Sequence, residues 1–262
     1  MAFCEEPLST RATRATIKNI KHLNYLLRKI LLQRITYGFP YQEEKTGEWF
    51  ELPQSQFQKV TRTGPINILN IRGTKPKKIE NYPLINGTDF LKNLTENGYK
   101  ILFHGTNHDS AKNIIENGIC LDKLNKQRAQ DFSCGKGFYL TDQFDEETGA
   151  VTWAFRRMGR HQSVLIFKIP NHEFESYRGR SKNLIGKDKE LKEFVKMYRL
   201  GKEKNRDLQK NLKEVSFVEG PWVKLDRESV SIIQGSYQIC LHCDKMAECF
   251  DRHLHSVIFF NK

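Results

Sequence analysis

Ile101-Leu102-Phe103-His104-Gly105-Thr106 and, about thirty residues on, Cys134-Gly135-Lys136-Gly137-Phe138-Tyr139-Leu140-Thr141 decide how the rest of this chain is read. Each places a hydrogen-bonding residue at the end of a short apolar run. Glycine stands beside it, where a backbone can approach another group closely. The remainder of the sequence is legible as a frame that brings these two strand ends together.

Outward from them, a strand over 100–104 leads into a helix over 109–117 that Asp109 or Ser110 caps and Gly118 stops. A loop over 122–133 precedes the strand over 138–141, and a helix over 146–158 carries Trp153, Ala154 and Phe155. The run 164–169 reads as a strand of nearly continuous apolar character that closes at Pro170. Further strands are predicted near 215–218, 230–233, 237–242 and 256–259, with a helix over 244–250. Strands outnumber helices and do not alternate with them, which makes the class α+β rather than doubly wound.

Toward the N-terminus, Ile17, Ile20, Leu23, Leu27, Ile30 and Leu31 recur at three- and four-residue steps, predicting a basic amphipathic helix over 14–35. Such a helix can lie on a membrane or bind a partner, and packing on its own domain is the favoured reading. Short strands are predicted at 49–52 and 66–71, a basic loop at 74–78 and a short helix at 88–97. Residues 1–98 thus read as an elaboration docked on a domain spanning 99–262.

No run approaches the roughly 18 apolar residues a bilayer span needs, and the first residues carry no basic region followed by an apolar one. The expectation is a soluble protein of the cytoplasm, the nucleus or both, with no membrane span. Six cysteines lack the spacing of a disulfide framework. Cys240, Cys243, Cys249, His253 and His255 fall close enough together to test for zinc, but Cys240 sits in an alternating run without paired turn spacings. Packed thiols are the better reading, and no metal is expected. The net charge of +12 is uneven: residues 178–213 hold thirteen Lys or Arg against five Asp or Glu. Such a block is either a solvated helical face or an attractor of phosphates and acidic partners.

Three polar residues end or interrupt apolar strands: His104, Tyr139 and Gln238. Taken singly, each has a structural reading: a hydrogen-bonded histidine, a packed tyrosine, a solvent-facing glutamine. Gly135-Lys136-Gly137 is no dinucleotide fingerprint, because the third glycine and the phosphate-facing helix are missing.

In order and context they point further. Leu102-Phe103-His104-Gly105-Thr106, then Ile114-Ile115-x-x-Gly118-Ile119, then Gly135-Lys136-Gly137-Phe138-Tyr139-Leu140-Thr141-Asp142 and Ala150-x-x-Trp153 resemble the catalytic domain of the poly(ADP-ribose) polymerase type of ADP-ribosyltransferase. Tyr237-Gln238-Ile239-Cys240 followed by Lys245-Met246-Ala247-x-Cys249-Phe250 resembles a less characterised fungal, plant and bacterial branch whose third motif carries glutamine. The resemblance covers about residues 99–260.

It implies an ADP-ribosyltransferase-like split β-sheet core with flanking helices, and NAD as substrate in a cleft between two strand groups, with no metal. In that arrangement His104 hydrogen-bonds the adenosine ribose, and the Gly105 backbone meets the nicotinamide carboxamide. Tyr139 stacks on the nicotinamide, Thr106 adds a ribose or amide contact, and Trp153 closes the other face of the ring. Gln238 stands where the polymerase-type relatives carry a glutamate on the ribose 2′-hydroxyl. An amide keeps the hydrogen bond but lacks the charge and cannot act as a base. The implied activity is therefore transfer of a single ADP-ribose to a macromolecular acceptor, or NAD hydrolysis, rather than chain growth. Glu219 or Glu228 could supply the missing carboxylate. The basic segment 178–213, read as a helical insertion, implies an acidic acceptor, protein or nucleic acid. The alternative is a non-catalytic module binding NAD, ADP-ribose or nucleic acid. A third reading is a tRNA 2′-phosphotransferase relative using Arg156, Arg157, Arg178 or Arg180.

Overall fold

The computed structural model describes residues 49–52, 59–72, 94, 97–123, 130–133, 137–144, 148–157, 161–200, 212, 214–227 and 229–261. The chain divides into two compact units, Met1–Glu44 and Lys45–Lys262. The predicted helix over 14–35 lies outside the described residues, as do the loop at 74–78 and most of the helix at 88–97.

The second unit is mixed α+β. Its five-stranded sheet runs β1 (Trp49–Leu52), β2 (Ile66–Arg72), β11 (Leu254–Asn261), β5 (Gln162–Pro170), β3 (Tyr99–Asn107). β5 is antiparallel to both neighbours, and Val164, Leu165, Ile166 and Phe167 are wholly buried. A central strand covered on both faces needs a continuous apolar run, which is what its sequence carries. β2 is parallel to β11 in this same sheet. Residues 66–72 are therefore part of the main sheet, and the boundary falls after Glu44 where the sequence suggests 98. The sequence misses this because a short alternating strand does not announce its partner.

A second sheet orders β4 (Phe138–Leu140), β10 (Gln238–Leu241), β7 (Phe217–Gly220) and β6 (Ser181–Asn183). β8 (Val223–Asp226) and β9 (Ser229–Ile232) form a separate hairpin. β6 pairs parallel with β7, so the front of the basic segment 178–213 is an edge of the sheet and not part of a helical insertion. Ser-Lys-Asn has no apolar alternation to betray it.

A backbone bridge between Phe103 and Thr141 joins the two larger sheets. Phe103 N donates to Thr141 O at 2.8 Å, and Thr141 N to Phe103 O at 3.0 Å. The junction sits between the two stretches quoted first, one residue from His104 and two from Tyr139.

Helices pack on these sheets: α1 (His108–Asn117), α2 (Ala150–Arg157), α3 (Asn171–Ser176), α4 (Asp188–Leu200) and α5 (Asp244–Arg252). No described helix is long and apolar enough to cross a membrane. The cap of α1 is Asn107, whose Oδ1 accepts from Ser110 N at 2.7 Å, rather than Asp109 or Ser110. β3 extends three residues further than its apolar run suggests, and carries the cap with it. On α4, Leu191, Phe194, Val195 and Tyr198 repeat at helical spacing and are buried against Val218 and Cys240 of the second sheet. Each such side chain contributes roughly 1.5–3 kcal/mol by burial.

Beyond α1 lies a polar knot. Arg62, 3% exposed, donates to Asp251 O at 2.7 Å, Ile114 O at 3.1 Å and Ile115 O at 2.8 Å. The Asp251 carboxylate accepts from Ile119 N. Gly118, at φ +81°, is required here: a Cβ would stand 2.6 Å from Asp251 Oδ2. Burial lowers Arg62 to a pKa of about 10 and raises Asp251 to about 6, each despite opposition from the other's charge.

Candidate active site

In the second sheet Cys240 of β10 lies directly opposite Tyr139 of β4. Side chains alternate along a strand and opposed residues share a face, so Gln238, Cys240 and Tyr139 stand on one side of the sheet. The same rule puts Phe138, Leu140 and Ile239 on the other. Gly137, just before β4, has no room for a side chain: its Cβ would lie 2.2 Å from Cys240 Sγ.

The turn over 130–133 lies against the Tyr139 face. Tyr139 OH donates to Ser133 Oγ at 3.1 Å and accepts from Phe132 N at 2.8 Å. The Phe132 ring is wholly buried in the core beneath α4, 6.1 Å from the Phe194 ring. His242 hydrogen-bonds the Phe132 backbone. Asp131, 6% exposed, accepts from Gln238 Nε2 at 2.9 Å and forms an ion pair with Arg199 of α4. The loop predicted over 122–133 thus ends in the segment that fixes Tyr139 and Gln238. No local periodicity marks Asp131, 107 residues from its glutamine partner.

His104 sits on the edge strand β3 and reaches β4 from the junction. Its Nδ1 lies 2.6 Å from the Tyr139 carbonyl, and its ring stacks on Phe138 with centroids 4.1 Å apart. A carbonyl only accepts, so Nδ1 carries the proton and Nε2 is the acceptor. Burial lowers the imidazole to about 4, keeping it neutral at pH 7. Burial also pushes the Tyr139 phenol well up, so it is a hydrogen-bonding and packing group rather than a base.

The three predicted residues are therefore joined in two steps. Tyr139 and Gln238 meet through the turn over 130–133 on one face, whereas His104 meets β4 through a backbone carbonyl and the Phe138 ring. The expected convergence of three side chains is replaced by this linked arrangement.

The remaining predicted residues are placed as follows. Thr106 is buried on β3, two residues beyond His104 and on its side of the strand. Gly105 faces the start of α2, where a Cβ would stand 2.1 Å from Ala150 O; helix packing alone requires glycine here. Trp153 packs edge-on against Trp222, centroids 5.0 Å apart, and the Trp222 indole donates to Tyr237 O at 3.1 Å. It thus stands near the start of β10. Glu219 does not replace the missing carboxylate. It opposes Ile239, on the face away from Gln238, where it pairs with Arg178 and accepts from Tyr237 OH at 2.9 Å. Arg178 is committed to Glu219 and Glu175. Glu228 and the side chains of Arg156 and Arg157 lie outside the described residues.

The cysteine-histidine group does not assemble as spaced. Cys240 is wholly buried beside Tyr139. Cys249 and His253 instead approach Glu173, their ligand atoms lying within 4.8 Å of one another, with Arg252 ion-paired to the same carboxylate at 3.2 Å. Cys243 and His255 are outside this group.

Comparison of the chain with family models, with curated proteins and with solved structures finds no match.

Proposed function

We propose that the protein transfers a single ADP-ribose unit from NAD to a macromolecular acceptor and releases nicotinamide, on a split-sheet core of the ADP-ribosyltransferase kind. One observation carries the reading. A neutral imidazole, a protonated phenol and a carboxamide are held on β3, β4 and β10 near the backbone bridge that joins the two sheets.

In this reading His104 Nε2 accepts from the adenosine ribose. Tyr139 offers its ring to the nicotinamide, its hydroxyl being engaged by Phe132 and Ser133, and Trp153 closes the ring's other side. The Gly105 backbone and Thr106 add orienting contacts of the kind that hold a scissile bond in a reactive shape. As nicotinamide leaves, positive charge develops on its ribose, and Gln238 Oε1 accepts from the ribose hydroxyl beside it. Stabilisation of that kind is worth about 3 kcal/mol, or about a hundredfold in rate. A carboxamide cannot take a proton from an acceptor sugar, which favours one transfer, or hydrolysis, over chain elongation.

The acceptor is acidic. Lys189, Lys192 and Lys196 lie exposed along one side of α4, while Arg199 on the same helix turns inward to Asp131. A polyanion on that stripe lies one helix away from Gln238.

The test is incubation with adenine-labelled NAD and cell extract. Label on an acceptor together with free nicotinamide is expected, and the absence of both ends the reading. Tight NAD binding without nicotinamide release would select the non-catalytic module instead, which the uncharged Gln238 also suits.

A further inference from the structure

A carboxamide such as that of Gln238 can turn either end toward a ligand. Here its two partners settle the orientation. Nε2 lies 2.9 Å from Asp131 Oδ2 and 3.3 Å from Pro221 O. A carbonyl and a carboxylate paired with Arg199 both only accept, so the amide nitrogen must face them. Oε1 then points away and has no donor among the described residues. The carboxamide therefore presents an acceptor, as a glutamate would, with its donor end held by the Asp131 carboxylate.

We infer that Asp131 is the positioning residue of the site: it fixes Gln238 so that Oε1 receives a substrate hydroxyl, and it polarises the carboxamide through that hydrogen bond. The inference rests on the ADP-ribose transfer reading and deepens it, since the group received is a sugar hydroxyl of NAD. Asp131 is itself held by Arg199 from α4 and by the buried Phe132 next to it. Its carboxylate does not touch substrate; it acts through the hydrogen bond to Gln238. The pair divides a glutamate's two roles: Gln238 presents the acceptor, and Asp131 orients and polarises it.

The division makes an unusual demand. Restoring a glutamate with Q238E would set two carboxylates at hydrogen-bond distance, where they share one proton and the second ionises only at raised pH. Exchanging the roles with D131N/Q238E restores one donor and one acceptor, because the amide introduced by D131N can donate to the new carboxylate.

Four proteins are compared as full chains: wild type, D131N, Q238E and D131N/Q238E. Nicotinamide release from NAD is followed against pH, and thermal melts check folding. D131N is expected to lower kcat about ten- to a hundredfold. KM for NAD should move less than about threefold, as for an interaction made mainly in the transition state. Q238E should be active only toward acid pH, and D131N/Q238E should recover to within about tenfold of wild type with a flat profile through neutrality. A merely structural Asp131 would lower the melts without moving a pH profile. Unchanged kcat in D131N, or a double variant no better than Q238E with the same profile, overturns the inference. If D131N does not fold, the Q238E profile decides alone, and no acid shift overturns it. A wild-type protein that neither binds nor cleaves NAD overturns the transfer reading itself, an outcome visible before any variant is made.

Discussion

Two buried knots in this protein are made of the same ingredients, a carboxylate and an arginine, and they are wired differently. Around Arg62 and Asp251, the partners are backbone groups: Ile114 O, Ile115 O and Asp251 O take the guanidinium, and Ile119 N meets the carboxylate. Such a knot closes the end of α1 and satisfies groups a helix terminus leaves open. Around Asp131 and Arg199, the partners are side chains, and one of them, Gln238, is left with an acceptor to offer. Backbone-directed polar groups hold a fold together. On the proposed reading, those around Asp131 orient Gln238 for a ligand.

Substitution of the arginines separates the two most sharply. R62M strands several buried acceptors and should cost about 3–5 kcal/mol, read by urea or thermal unfolding. R199M leaves the buried Asp131 carboxylate with Gln238 Nε2 in place of its cation, and should cost about 1–3 kcal/mol while lowering nicotinamide release more than stability. Equal losses of stability would erase the distinction. Next in size is G105A, whose methyl would meet the α2 backbone; overpacking of this kind should cost about 1–3 kcal/mol in melts without NAD. An unchanged melting temperature would return the glycine to a purely ligand-facing role.

The pH dependence of unfolding sets the Arg62–Asp251 knot against the buried histidines. His104, His108 and His242 all lie at about 4 in the folded protein, chiefly through burial, against an ordinary 6.5. Between pH 6.5 and 4 the unfolded chain therefore binds more protons, and stability should fall as pH drops through that window. Asp251, at about 6 against an ordinary 3.8, has the opposite sign: its folded form holds the proton between those values, so it offsets part of the loss. D251N should remove that offset and steepen the acid decline of the melting temperature. A decline no steeper than wild type would show that Asp251 does not titrate there. The smallest effect on stability should come from K192E/K196E, within about 0.5 kcal/mol for exposed sites. The same variant should abolish salt-sensitive capture of a polyanionic acceptor, and unchanged acceptor labelling would remove α4 from the docking surface.

Much of the frame is legible along the chain. The apolar run of β5, the glycine stop after α1, the helix at 244–252 and the strands bearing His104, Tyr139 and Gln238 each follow from local periodicity or a local breaker. The site is less so. Glu219 looks as suitable as any carboxylate until the register opposes it to Ile239 and turns it away from Gln238. Arg199 reads as one more cation of a basic stripe, yet faces inward. Asp131 sits in a loop with no pattern at all, and β6 is too short and too polar to declare itself.

By itself, the sequence determined which segments bury an apolar face and where His104, Tyr139 and Gln238 fall within them, because burial on one element is written in the spacing of neighbours. Only the tertiary structure decided that residues 66–72 enter the main sheet, that the two sheets touch at Phe103 and Thr141, and that Asp131 orients Gln238. Those choices depend on strand register and on a turn packing across a sheet. They join residues far apart in the chain, whose meeting no local spacing can encode.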